Sequence, residues 1–321
     1  MRKVLITGIA GFVGSHLAER LRDKGAEVWG TLLDDKLGNI EGMEGLNLIQ
    51  CDLLDRQAVM DAIGRIKPES IFHLAAQSAP SLSFKNPGET LKVNIFSTLN
   101  IFEAVMESSP ESVVLNVGSG DEYGEVEDKD LPVNETAELR PLNPYAVSKV
   151  TQYLLAFQYW KSKGLKTVRC RPFNHYGPRQ SEIFVSSEFA KQIAEIEAGI
   201  RPEKVIKVGN LEASKDFLEV RDVVSAYEIL VEKGEMGSVY NICSGKAIKI
   251  REIIDTLISL SNEKIEIFQD PGKKRPSDVK ALYGDAGRLK ALGWRAEHDL
   301  ADGLESLLDF WREKVKRSII V

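Results

Sequence analysis

Tyr145 and Lys149 stand four residues apart in Tyr145-Ala-Val-Ser-Lys149, so a helix through them carries a phenol and an ammonium one turn apart on one face. A positive charge at that distance lowers the phenol's pKa, which suits Tyr145 to proton exchange with a substrate oxygen near neutrality. Ser119, at the end of a predicted strand, brings a hydroxyl able to hydrogen-bond the oxygen of a reacting carbonyl. Asp121, two residues on, is a carboxylate in the same turn and a candidate proton acceptor. A second group of residues opens the chain: Thr7-Gly8-Ile9-Ala10-Gly11-Phe12-Val13-Gly14. Gly8 permits a tight turn, Gly11 lets backbone approach a pyrophosphate, and Gly14 lets a helix pack close to a sheet. The helix that follows offers unpaired N–H groups and a positive dipole end to phosphates. A dinucleotide cradle together with a Ser, Tyr and Lys set points to redox chemistry at a carbonyl.

Such residues need a scaffold, and the first half of the chain predicts one. Strands are expected at Lys3–Thr7, Ala26–Leu32, Leu46–Gln50, Ser70–Leu74 and Ser112–Val117. Helices are expected at Phe12–Lys24, Gln57–Ile66, about Glu89–Glu107, and Tyr145–Lys163 with Gly164 as its C-cap. This alternation predicts an α/β fold, a doubly wound parallel (Rossmann) sheet with helices on both faces. Beyond Arg171 the pattern changes to loops, short strands and a helix near Ser187–Ala198. We expect a dinucleotide-binding domain over residues 1–171 and a smaller mixed lobe over 172–321, interleaved with returns to the main sheet. The stretch Asp299–Lys316 reads as a packed terminal helix carrying Leu304, Leu307, Leu308 and Trp311.

The remaining chemistry narrows the partners. After the second strand come Asp34, Asp35 and Lys36 with no Arg. An acid there binds a ribose diol, so NAD(H) is favoured over NADP(H), although Lys36 leaves a phosphate possible. Asp52-Leu53 is placed for the adenine end, with a turn as the alternative role of Asp52. Net charge is −6 and no basic run is interleaved with aromatics, which argues against nucleic acid. Cys51, Cys170 and Cys243 are scattered and odd in number, so a reducing cytoplasm is expected and a disulfide framework is not. No apolar run is long enough to span a membrane, and four scattered histidines do not make a metal site. His73, among apolar neighbours at a strand end, reads as a hydrogen-bonded core residue.

Gly8-x-x-Gly11-x-x-Gly14, His73-Leu-Ala-Ala76, Asn94, Ser119 and Tyr145-x-x-x-Lys149 together resemble the extended short-chain dehydrogenases that act on nucleotide sugars. The resemblance implies a cofactor pocket lined by Phe12, Val13, Leu74, Ala75, Ala76, Ser78, Val117 and Pro172. It also implies that Asn94 supports the active site, that Lys149 holds the nicotinamide ribose, and that the protein dimerises through helices near 89–107 and 145–163. Arg171-Pro-Phe-Asn-His-Tyr-Gly-Pro178, Phe184-Val-Ser-Ser-Glu-Phe-Ala190, Gly209-Asn-Leu-Glu-Ala213, Lys215-Asp-Phe217 and Arg275-Pro-Ser-Asp278 resemble the GDP-mannose 4,6-dehydratases and the GDP-4-keto-6-deoxymannose reductases. A GDP-sugar site made from Ser78, Ser119, Gly120, Asn174, His175, Val185, Lys191, Asn210, Lys215, Arg275 and Asp278 is what that likeness implies. The dehydratases carry Thr at the place of Ser119 and, at the place of Asp121, a Glu that removes a proton beside the transient ketone. Asp121 is shorter by one methylene, and Glu122 points elsewhere if the backbone follows the strand. Reduction of a GDP-4-keto-6-deoxyhexose is therefore expected ahead of GDP-mannose dehydration and of 4-epimerisation. A dinucleotide-sensing regulator is the alternative outside enzymes.

Overall fold

The computed structural model describes residues 2–270, 272 and 281–320, so Arg275 and Asp278 lie outside the described residues. Alternation of apolar residues builds the centre of the fold. In β1 (Lys3–Thr7), Val4 and Ile6 face one core while Leu5 faces another, as a period of two demands of a strand buried on both sides. Around it lie β2 (Glu27–Leu32), β3 (Leu46–Gln50), β4 (Ser70–His73), β5 (Val113–Val117), β6 (Thr167–Pro172) and an edge strand, Val239–Ile242. Their order is β3-β2-β1-β4-β5-β6-edge, every pair parallel, which is a Rossmann sheet. The direction of winding reverses between β1 and β4, and ligand crevices form at the carboxyl ends of strands at such a point.

Helices cover both faces. α1 (Phe12–Asp23) lies on one face, while α2 (Arg56–Ile66), α4 (Pro87–Ser108) and α5 (Pro144–Lys163) lie on the other; the short α3 is Pro80–Lys85. Asn143 starts α5 by accepting a hydrogen bond from Ala146 N at 2.8 Å, Pro144 fills the first turn, and Gly164 closes it in the left-handed region at φ 77°. The predicted elements of this half match the observed ones to within one or two residues at each end.

After β6 the chain leaves and re-enters the sheet. α6 (Val185–Glu197) and the terminal helix Leu300–Ile320 pack together through Phe189, Ile193, Leu304, Leu307, Leu308 and Trp311, a second core. The stripe on the terminal helix is thus a packing face, as expected. α7 (Val220–Lys233) returns to the α1 face of the main sheet and leads into the edge strand. Among the described residues three small sheets follow: Asn174–Tyr176 pairs with Phe217–Glu219, Ser214–Lys215 lies between Ile248–Lys249 and Ala281–Leu282, and Val205–Val208 pairs with Glu266–Gln269. None of the described helices is long and apolar enough to cross a membrane.

Candidate active site

A cleft of about 670 Å³ opens at the carboxyl ends of the parallel strands. The glycine loop forms its floor. Gly8 sits at φ 71°, where side chains other than glycine are strained, and an added Cβ would come within 3.0 Å of Ala75 backbone. At Gly14 a Cβ would overlap the carbonyl oxygen of Gly8. Gly11 is the N-cap of α1 and contributes no side-chain cap, so the first N–H groups of this helix are left to a ligand. The cradle therefore fits the pyrophosphate of a dinucleotide, with Phe12, Val13, Leu74, Ala75, Ala76 and Ser78 around it. Asp34 and Lys36 line the end of the cleft beyond β2 and lie 3.7 Å apart.

Ser119, Asp121, Tyr145 and Lys149 meet on the opposite wall with Val117, Gly120 and Pro172. Ser119 caps a short 3-10 turn in which its Oγ accepts from Asp121 N at 3.1 Å. The Ser119 hydroxyl is within hydrogen-bonding reach of the Tyr145 phenol. Lys149 Nζ donates to the Val117 carbonyl at 2.9 Å and lies 5.8 Å from the Tyr145 ring centre. Burial pushes the ammonium down to about 8.

The electrostatics differ from expectation at Tyr145. Burial, and then the charge of Asp121, hold its phenol above the usual tyrosine range, against a hydrogen bond from Ser119. Lys149, whose Nζ is turned to the Val117 carbonyl, does not reverse this, because desolvation of a phenolate in so buried a seat sets the direction. The phenol is consequently a loaded proton donor at neutral pH. Burial likewise raises the carboxyl of Asp121, opposed by the charge of Lys215 and by a hydrogen bond from Asn143.

Free-enzyme activity that depends on the Lys149 charge is expected to show it. We predict that kcat/KM stays level from pH 6 to 7.5 and falls as pH rises through about 8, where Lys149 loses its proton. A pH–rate profile level to about pH 10 would remove Lys149 from that role.

Asn174, His175, Val185 and Lys215 also line the cleft. His175 stacks on Phe12 with ring centres 5.8 Å apart, joining the short strand Asn174–Tyr176 to the start of α1. Other expected residues lie elsewhere. Asn94 is fully buried and braces Gln77 and Ser148, accepting from Gln77 N at 2.8 Å and donating to Ser148 Oγ at 2.8 Å. Asp52 closes a turn onto Leu54 N at 2.9 Å, and the Leu53 carbonyl accepts from Asn100 at 2.9 Å. Lys191 pairs with Glu182 at 3.2 Å, and Asn210 caps Glu212 N at 3.0 Å. None of these five lines the cleft. His73 is a core residue between the hydroxyls of Thr7 and Thr98, at 2.9 and 3.0 Å. Tyr123 is buried too, and Gly124 makes a turn at φ 58°. Asn143 is one of the cleft residues that reading the sequence missed; its place before Pro144-Tyr145, as a helix cap, was the available signal.

A sequence model of the GDP-mannose 4,6 dehydratase family matches residues 5–307. GDP-6-deoxy-D-mannose reductase of Pseudomonas aeruginosa is 34% identical over 316 residues, covering 98% of this chain and 99% of that protein. GDP-mannose 4,6-dehydratase of Yersinia enterocolitica is 29% identical over 340 residues, covering 92% of this chain and 90% of the relative. Among solved structures, RMD from Pseudomonas aeruginosa complexed with NADPH superposes with a TM-score of 0.85 at 34% identity, covering 98% of this chain and all of the other.

Proposed function

Because this chain belongs to the GDP-mannose 4,6-dehydratase family, we propose that it reduces the ketone of a GDP-linked 4-keto-6-deoxyhexose with a nicotinamide dinucleotide. Residues 1–171 would hold the dinucleotide and residues 172–321 the sugar nucleotide. The reduced nicotinamide, when bound, supplies the hydride. Tyr145 gives its proton to the ketone oxygen, Ser119 orients that oxygen by a hydrogen bond, and Lys149 presents positive charge beside them. GDP is held by cations and amides of the sugar-side wall, Lys215 and Asn174 among them.

Asp121 carries the choice of reduction over dehydration. Its carboxylate is tied to Asn143, the residue that starts the helix bearing Tyr145, and faces Lys215. A carboxylate so fastened, and short by one methylene, is poorly placed to remove a proton beside the ketone, whereas reduction requires no base. The likeness to a reductase at 34% identity supports the same reading. For the cofactor, Asp34 supports NAD(H), with the NADPH complex of the Pseudomonas aeruginosa protein on the other side. Buried free thiols at Cys51, Cys170 and Cys243 support a reducing cytoplasm. Exposed Phe96 on α4, with Val147, Leu154 and Phe157 on α5, supports a dimer through those helices, which sedimentation at micromolar concentration would reject by returning a monomer.

The test supplies GDP-mannose alone, and separately the 4-keto sugar with NADH or with NADPH. Mass spectrometry is expected to show a gain of two hydrogens on the keto sugar with stoichiometric oxidation of the cofactor. Loss of water from GDP-mannose would overturn the reading in favour of a dehydratase.

A further inference from the structure

Glu122 takes no part in that chemistry, lies outside the cleft lining and is fully buried. A buried carboxylate is costly unless its oxygens are paired, and both oxygens here have partners. Oε2 accepts from Arg171 Nε at 2.7 Å, and Oε1 accepts from the backbone N–H of Ser119 at 2.9 Å. Gly118 makes room for this arrangement, because a Cβ there would overlap Oε1. Arg171 is itself buried against the rings of Tyr123 and Tyr153, 4.9 and 4.5 Å from their centres. Its Nη1 donates to Tyr123 Oη at 3.1 Å, and that hydroxyl donates to Asn241 on the edge strand at 2.7 Å. The turn after β5 is thereby fastened to β6 and to the edge strand.

We propose that Glu122 is a positioning residue whose oxygen, by accepting from Ser119 N, fixes Ser119 against Tyr145. The inference rests on the reductase reading for what Ser119 then does. Ser119 and Glu122 form a reciprocal capping box: Ser119 Oγ accepts from the turn while the Glu122 carboxylate accepts from Ser119 N. Removing that acceptor frees the start of the turn, and a misplacement of about 1 Å at a reacting group costs about a hundredfold in rate. A fold-only role for the ion pair predicts something different, namely that any well-packed apolar replacement of both partners restores activity with stability.

Two double variants separate these roles. Glu122→Gln with Arg171→Met removes the ion pair but keeps an oxygen acceptor for Ser119 N; Glu122→Met with Arg171→Met removes both. They are compared at about pH 6, so that Lys149 stays protonated although a neighbouring negative charge is gone. The first is expected to keep kcat within about threefold of wild type, and the second to lose about a hundredfold with KM within about twofold. Backbone amides of residues 118–122 should exchange about tenfold faster in the second only. Equal kcat in the two doubles, or a fall in kcat without faster exchange, overturns the proposal. Should either double fail to fold, Glu122→Asp keeps the charge for Arg171 but is too short to serve both partners. Faster Ser119 exchange and lower kcat are expected from it, and wild-type values of both overturn the proposal. If the wild-type protein reduces no keto sugar, the reductase reading falls, and amide exchange alone judges how Ser119 is held.

Discussion

Tyr145→Phe is expected to lower kcat about a thousandfold while changing the KM for the keto sugar by less than about threefold, since proton donation by a placed side chain is worth 10²–10⁴-fold. The substitution deletes one oxygen and leaves the ring in its buried seat at 8% exposure, so the fold and the glycine loop are untouched. The loss falls on the step in which charge develops on the ketone oxygen. Ser119 remains to hydrogen-bond that oxygen, which is why activity is reduced and not abolished. Steady-state kinetics with saturating cofactor, and cofactor binding by fluorescence, check this. A variant with near wild-type kcat would take Tyr145 out of the chemistry, and one with lost cofactor binding would make its role structural.

Gly14→Ala is expected to weaken dinucleotide binding at least about a hundredfold, close to 3 kcal/mol, the upper range for overpacking a tight site. The new methyl would overlap the Gly8 carbonyl oxygen and come within 2.9 Å of Ile9 Cα, both of them backbone, so no side chain can turn aside to relieve it. The loop must move away from α1, which carries off the N–H groups meant for the pyrophosphate. Isothermal titration with NADH and NADPH reads the effect, and Gly88→Ala is the control. Gly88 meets nothing within 4 Å, so its variant should bind as the wild type does. Unaltered binding by Gly14→Ala would mean that the cradle lies elsewhere.

Much of this arrangement could be read from the chain because it is local. The glycine loop, the strand ends and the Tyr145–Lys149 spacing each depend on fewer than about ten consecutive residues, and periodicity reports such segments well. What escaped depends on burial or on distant partners. Charge proximity suggested that Lys149 would acidify Tyr145, but the outcome is decided by how much water the folded cleft admits. Asp52 and Asn210 carry side chains common in binding sites, and each also closes a turn by accepting from backbone two residues on, a local contact that no period announces. Lys191 is held by Glu182 across a loop. The pairing of Glu122 with Arg171 spans 49 positions and leaves no trace in any window of sequence. After β6, the strands outside the main sheet are two to four residues long, too short for a period to declare itself.

The contact of His175 with Phe12 is one of several stitches between the glycine-loop region and the segment that follows β6. His16 Nε2 meets the Pro178 carbonyl at 2.9 Å, Arg179 pairs with Glu19 at 2.8 Å, and Asn39 donates to the Arg179 carbonyl at 3.3 Å. These contacts join residues 162, 160 and 140 positions apart. Closing loops of that length forfeits chain entropy that only a largely formed sheet can repay. In refolding, helical content should therefore recover before the capacity to bind dinucleotide does. The cradle's first wall is encoded in fourteen residues at the start of the chain, but its second wall arrives only when more than half of the chain has found its place.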